Sequence, residues 1–257
     1  DTIQKAQSIQ RVQSVDRAIQ ILKLFSEDRK EMKLTEIANE LDLNKSTVYG
    51  ILSTLKYHGL IDQDEKTQKY RLGLYLMRLG NLVANSIDVI NIAHPIIEEV
   101  SHRLNETVHL SKLDRLEIVY LDKVESNQSI RISTAIGTRK LAYCTGMGKV
   151  LLAFSDLNEV EKSLPDKLQA FTPNTVIDKK VLLEELRDIK KIGYAIDREE
   201  SEIGLMCIAA PIFDYNGEVK YALSVSGPTP RITEERLEKI INIAKDTARK
   251  ISYKLGY

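Results

Sequence analysis

Residues 34–61, LTEIANELDLNKSTVYGILSTLKYHGLI, constrain the fold more than any other part of this chain. Ile37, Ala38 and Leu41 fall on one face of a short helix over 36–41, which Thr35 is placed to cap. A turn comes next at Asp42-Leu43, with Asp42 where Gly is usual but tolerant of a left-handed backbone. Asn44 then caps a further helix over about 45–58, in which Val48, Ile51, Leu52 and Leu55 make the apolar stripe. Its other face carries Lys45, Ser46, Thr47, Tyr49, Gly50, Ser53 and Lys56. Ahead of both, Val15, Ala18, Ile19, Ile21, Leu22 and Phe25 recur at helical spacing behind Ser14, a plausible N-cap.

Two short helices on a tight turn describe a helix-turn-helix over about 34–53. Ala38 is small where the helices must approach, and Leu43 and Val48 plug the angle between them. Short hydroxyl, amide and ammonium groups on the exposed face can reach base edges and phosphates in a major groove. The alternative is a helical hairpin that only packs. The residues after it weigh against that alternative. Gly59 ends the helix, 60–61 begin a strand, 64–67 read as a turn and 69–72 return, so the hairpin has the place of a wing. Lys66, Lys69 and Arg71 can touch flanking phosphates there, although each alone could be ordinary solvated charge. With Arg17 and Thr35, these residues complete the candidate DNA-contacting set of a domain over 12–74.

Charge must be faced, because the chain is neutral overall, with 37 Lys and Arg against 37 Asp and Glu. Its distribution is more telling: residues 43–61 hold no acid but carry Lys45, Lys56 and His58. A locally positive face is what phosphate binding requires. No apolar run approaches the roughly 20 residues of a membrane span, and the opening DTIQKAQSIQRVQS lacks a signal peptide's apolar core. Two cysteines far apart, Cys144 and Cys207, fit a reducing cytoplasm and give neither a disulfide framework nor a zinc spacing.

Residues 75–88 read as a linker helix, since Leu76, Leu79, Leu82 and Val83 are apolar at helical spacing. That stripe suits either dimerisation or packing on its own domain. In the second domain, 89–257, a helix opens at Pro95 and runs to 104. Strands are expected over 107–113, 117–124 and 130–133, and a loop over 137–145 leads into a helix at Gly146. Helices over 158–164 and 179–191 precede strands over 194–197, 206–213 and 219–226, and a helix after Thr233 closes the chain. Asn216-Gly217 between the last two strands is a strong hairpin signal. The pattern is α+β, an antiparallel sheet flanked by helices.

Several residues in this domain suit a small anion. Gly146, Met147 and Gly148 start a helix, where unpaired N–H groups and the macrodipole favour negative charge. Ser224 and Ser226 alternate, so both hydroxyls face one side, and Leu205 and Cys207 could supply an apolar wall. Plain strand alternation would explain the serines equally well, and Cys207 could be inert core. Asp197 ends a strand before an acidic loop. His94, His102 and His109 lack a metal-like spacing, and no metal or cofactor is expected. An enzyme is disfavoured. There is no CxxC, the serines lack a His/Asp partner set, and GMGKV falls short of a phosphate-binding loop.

The chain resembles the IclR family of transcription regulators. The resemblance rests on SVDRAIQILKLF, the helix-turn-helix stretch and KYRLG, then on GMGKVLLA, GYAIDREESEIGLMCIAAPIFD and ALSVSGPTPRI, in that order from about Gln13 onward. It implies a winged helix-turn-helix and, after it, a GAF-like effector-binding domain. It also implies a homodimer or homotetramer on a palindromic double-stranded operator, most simply a repressor of a catabolic operon that responds to a small organic acid. By the same resemblance effector contact falls on Gly146, Met147, Asp197, Leu205, Cys207, Ser224 and Ser226, and on Ile132 and Lys140. Lys140 stands where relatives often carry an apolar residue or proline, so it could add a cation for a carboxylate or merely be exposed.

Overall fold

A computed structural model describes residues 12–26, 28–85, 88–128 and 134–257. The chain divides after Ser86 into two units, the first built on one apolar core and the second on two, one on each face of its sheet.

The first unit contains α1 (Gln13–Lys23), α2 (Leu34–Glu40), α3 (Lys45–Tyr57), β1 (Ile61–Gln63), β2 (Tyr70–Leu72) and α4 (Tyr75–Asn85). Ile21 of α1, Ile37 and Ala38 of α2, and Val48, Leu52 and Leu55 of α3 meet Ile61 and Tyr70 in the core. Each large aliphatic chain buried this way contributes about 1.5–3 kcal/mol. Asn44 caps α3 as expected, its Oδ1 accepting the Thr47 N–H at 2.9 Å. Asp42 takes the left-handed turn position at φ 50°. Gly59 (φ 69°) ends the helix where a side chain would be strained. Two expected caps are corrected. The residue before α1 is Val12, so Ser14 lies inside the helix. For α2 the N-cap is Lys33, whose N–H is taken by the Glu36 carboxylate at 2.6 Å, and Thr35 sits in the first turn. A reciprocal carboxylate can satisfy an open N–H without a capping hydroxyl.

Strands β1 and β2 pair antiparallel, Ile61 with Leu72 and Gln63 with Tyr70. Met32 joins them as an isolated bridge that exchanges two hydrogen bonds with Tyr70, at 2.9 and 2.7 Å. Nothing in the pattern around Met32 announces this third member.

The second unit contains α5 (Asp88–Leu104), β3 (Thr107–Asp114), β4 (Glu117–Val124), β5 (Arg139–Leu141), α6 (Gly146–Ala153), α7 (Leu157–Ser163), α8 (Lys179–Ile192), β6 (Ala195–Arg198), β7 (Leu205–Phe213), β8 (Val219–Pro228) and α9 (Glu234–Lys254). The strands form one sheet in the order β5-β4-β3-β8-β7-β6, with every neighbouring pair antiparallel. Alternation sends Leu110, Ile208, Val225 and their neighbours toward α5 and α9. Ile118, Ala209 and Ala222 on the opposite face pack with residues of α6 and α8.

The start of α5 departs from expectation, since Pro95 lies inside the helix rather than opening it. A helix-interior proline loses one backbone bond. Here Pro95 is exposed while Val89, Ala93, Ile96, Ile97, Val100 and Leu104 are buried along the same helix, so packing on both sides of the break carries it through. Strand β5 falls within the expected loop 137–145. The strand expected over 130–133 lies outside the described residues.

Candidate functional site

The exposed face of α3 presents Lys45, Ser46, Gly50 and Ser53 to solvent, with Tyr49 60% exposed and Thr47 half-buried. Ser46 is partly committed, donating its hydroxyl to Asn44 Oδ1 at 3.0 Å. A Cβ added at Gly50 would meet nothing within 4 Å, so the helix is open to a partner there. In the wing Lys66 is exposed and Lys69 half-buried, and neither makes an ion pair among the described residues. Arg71 differs. Its guanidinium donates twice to Asp62 Oδ2, at 3.1 and 2.8 Å. The hydrogen-bonded Arg71 holds the Asp62 carboxyl below its usual range. Arg17 and Thr35 are half-buried and exposed respectively.

Sequence reasoning passed over part of this surface. A groove of about 420 Å³ between α3 and the wing is lined by Tyr49, Ser53, Lys56, Tyr57, Gln63 and Tyr70. Lys56 reaches across it to Gln63 Oε1 at 3.3 Å, and Tyr57 is 86% exposed, edge-on to His58. An exposed tyrosine at the end of a polar helix face was the available signal.

In the second unit the strand register gathers the expected anion-binding residues. Asp197 lies opposite Cys207, Cys207 opposite Ser226, and Ser224 opposite both Ala209 and His109. Above them α6 begins. Thr145 caps it by accepting the Gly148 N–H at 3.2 Å, while the first N–H groups of any helix lack intrahelical acceptors. Gly148 is required by its surroundings, because a Cβ there would lie 2.2 Å from the Ala142 carbonyl oxygen. A Cβ on Gly146 would come within 3.4 Å of the Cys207 oxygen and 3.6 Å of Asp197 Cβ, so the helix start sits over β6 and β7.

Lys140, Gly146, Met147, Asp197, Leu205, Cys207, Ser224 and Ser226 all line one cavity of about 20 Å³. Ile132 lies outside the described residues. The cavity wall also includes His109, Tyr120, Thr134, Thr145 and Ser201, none of which was expected.

The electrostatics of this cavity are set mainly by burial. Asp197 is 1% exposed, and desolvation pushes its carboxyl up to about 6 even though the Glu200 N–H donates to Oδ1 at 2.8 Å. Ser201 donates to Oδ2 at 3.3 Å. His109, 2% exposed, is pushed down to about 3 by burial, with Lys123 and Lys140 adding to the effect, so its ring is neutral. Burial raises the Tyr120 hydroxyl and both thiols, Cys144 to about 12. Neither thiol is activated as a nucleophile or redox centre. At the rim, Lys140 Nζ lies 3.9 Å from Glu202.

On α6 Lys149 is fully buried (0%) between Glu185, at 2.7 Å, and Glu200, at 2.5 Å. The turn that carries Glu200 is held from the other side by Thr172 and Thr175, whose hydroxyls donate to the Glu199 and Glu200 carbonyls at 2.6 and 2.7 Å. That clamp fixes the backbone N–H that holds Asp197. In sequence, Lys149 reads only as part of a glycine-containing helix start, with nothing to pair it to acids 36 and 51 residues away.

Among the described residues no helix is long and apolar enough to cross a membrane, and no cluster of His, Cys, Asp and Glu could hold a metal.

Comparison with known proteins agrees with both halves. Residues 14–65 match the IclR helix-turn-helix domain, and residues 81–253 match the bacterial transcriptional regulator IclR C-terminal domain. The transcriptional regulator KdgR of Escherichia coli K12 is 39% identical over 247 residues, covering 96% of this chain and 94% of that protein. The transcriptional repressor AllR of the same strain is 32% identical over 245 residues, covering 95% of this chain and 90% of that protein. The crystal structure of Thermotoga maritima IclR superimposes with a TM-score of 0.81 at 36% identity, covering 96% of this chain and all of that one. With both domain models matched in order along one chain, this protein belongs to the IclR family of transcriptional regulators.

Proposed function

We propose that this regulator represses its target by binding paired half-sites as an oligomer, and that a small organic acid in the cavity of the second unit releases it. The observation that carries the reading is the convergence of Ser224, Ser226, Asp197 and Cys207 on one cavity under the start of α6. The ligand's carboxylate belongs at the Gly146 end, with the two serine hydroxyls donating to it, because the helix start favours an anion. Asp197 takes a hydroxyl or a bound water. The Ser224 and Ser226 oxygens lie 3.2 Å apart, close enough to share one acceptor. The similarity to AllR, a repressor, supports the direction of regulation.

In the DNA-binding unit, Thr47, Tyr49 and Ser53 read base edges while Lys45, Lys66, Lys69 and Arg71 contact phosphates, with Arg17, Thr35, Ser46 and Gly50 beside them. A cavity of about 20 Å³ is smaller than any organic acid. Binding therefore spreads the wall, and a ligand that favours the spread arrangement over the closed one can shift DNA affinity. Calorimetry with a panel of organic acids on the wild type and on a Ser224→Ala, Ser226→Ala double variant tests the site. The expected result is binding lost in the double variant; equal affinity in both proteins would place the site elsewhere.

A further inference from the structure

We infer that a groove at the far end of α6 and β7 is a second ligand site, separate from the cavity under Gly146. It takes an amphipathic anion: a ring system or short acyl chain that carries one carboxylate or sulfonate. The groove measures about 360 Å³ and shares no wall residue with the cavity. That is room for about a dozen waters, within the range of about 300–1,000 Å³ usual for small-molecule sites. Its floor is apolar. Phe154 meets Phe213 edge to face at 5.6 Å, Phe213 stacks on Tyr257 at 4.7 Å, and Pro211 lines the groove with them. Rings arranged this way offer a flat apolar body a further face to pack on.

The rim supplies the charge. Lys190, Lys245 and Arg249 line the groove and no acid does. Lys190 is exposed and has no ion pair among the described residues. Arg249 meets Asp246 at 3.4 Å with both side chains more than 70% exposed, a contact worth little. Lys245 is held in place: its Nζ donates to the Ile192 carbonyl at 3.2 Å and lies 5.6 Å from the centre of the Tyr194 ring. An ammonium has three N–H groups, so Lys245 keeps donors for an anion. It also covers the last carbonyl of α8, whose partial negative charge would otherwise repel that anion.

The strand edge argues against larger occupants. β6 stops pairing with β7 at Ala195 opposite Ala209, which leaves residues 210–213 without a strand on that side. There Pro211 has no N–H, and the Phe213 N–H is held by Ser252 Oγ at 2.8 Å, so an added peptide strand finds neither donor. A second copy laid on the groove about a two-fold axis would set these cations against their own counterparts. A small amphipathic anion places its body on the rings and its charge at the rim, and needs nothing from the strand edge.

The test is calorimetry on the full chain with 2-naphthoate against its uncharged counterpart, 2-naphthalenemethanol. In the wild type the acid should bind about tenfold more tightly, the scale of one charge-assisted contact. In Lys190→Glu with Arg249→Glu, both at exposed positions that the core does not use, that ratio should fall to about one or below. Lys190→Arg with Arg249→Lys should keep it. Nuclear Overhauser contacts should join the naphthyl protons to Phe213 and Tyr257, and Ser224→Ala with Ser226→Ala should leave naphthoate binding unchanged. No binding of 2-naphthoate, equal affinities for acid and alcohol in the wild type, or a preference that survives charge reversal would each overturn the site. Loss of binding in the serine double variant would overturn it too, by placing the naphthoate in the cavity. A charge reversal that alters the oligomeric state and leaves naphthoate affinity unchanged would give the groove to a second copy instead.

Discussion

Asp197 carries a pH dependence whose sign can be worked out from its surroundings. Desolvation lifts its carboxyl from 3.8 to about 6. Between those values the folded state holds a proton that the unfolded chain has released. Its neutral form is therefore fully compatible with the fold below about pH 4, and stability is lost as pH rises through 6. The whole swing is on the order of 3 kcal/mol at most. Asn at this position stays neutral. Urea unfolding should show Asp197→Asn gaining on the wild type by about 1–3 kcal/mol more at pH 7 than at pH 4; a gain independent of pH would mean that the raised carboxyl is not Asp197. Lys149 presents the opposite case, a buried cation held by two acids. Breaking such a group by removing one partner typically costs about 3–5 kcal/mol. Lys149→Met should lose stability on that scale, and adding Glu200→Gln should restore part of it, because Glu185 is the more exposed acid and can turn to water.

Among the elements, the wing makes the sharpest distinction between cations that look alike in sequence. Arg71 is already held by Asp62, whereas Lys66 and Lys69 have no ion pair among the described residues. Removing either lysine should flatten the plot of log affinity against log salt by about one unit. Arg71→Ala should flatten it less, and Asp62→Asn should steepen it by freeing the guanidinium. Equal slopes in all four variants would take the wing off the DNA. On α3, Thr47→Ala and Ser53→Ala should each relax discrimination between operator and scrambled DNA by about 1–3 kcal/mol. The helices and the long strands were legible because a period of 3.6 or 2 shows up over eight or more residues. Three-residue β5 has no room for a period, and the Met32 bridge is made by tertiary pairing alone. Pro95 misled for a related reason: a local rule for starting a helix yielded to burial on both sides of it. In the cavity, the residues found in sequence were those on recognisable motifs. His109 and Tyr120 were missed because only the register of strands far apart in sequence brings them to the cavity, and Lys149 because its acids lie on a distant helix and turn.

At the scale of the whole molecule, one recognition helix and one wing touch too few base pairs to pick a site from a genome. Two copies related by a two-fold axis would read two half-sites about one helical turn apart. The α4 segment, with Leu74 just ahead of it, offers apolar surface for such a contact, since Leu74, Met77 and Leu82 are all more than half exposed. Light scattering should then give a dimer or a dimer of dimers, free and on DNA; a 29.2 kDa monomer in both conditions would end the idea. Oligomerisation also bears on how the cavity acts on DNA. A ligand changes DNA affinity only by its differential affinity for two arrangements of the protein, and by linkage DNA must change ligand affinity by the same factor. Couplings of this kind are usually about 1–3 kcal/mol, so saturating effector should weaken operator binding by roughly 5- to 150-fold. Operator DNA should in turn weaken effector binding by that same factor. Measuring both sides of the cycle, operator titrations with and without effector and calorimetry with and without operator, tests the coupling directly. Met77→Ser with Leu82→Ser should reduce the coupling together with the dimer if α4 forms the contact through which the second copy is engaged. A variant that is monomeric, binds operator as tightly as the wild type and still responds to effector would show that regulation runs within a single chain.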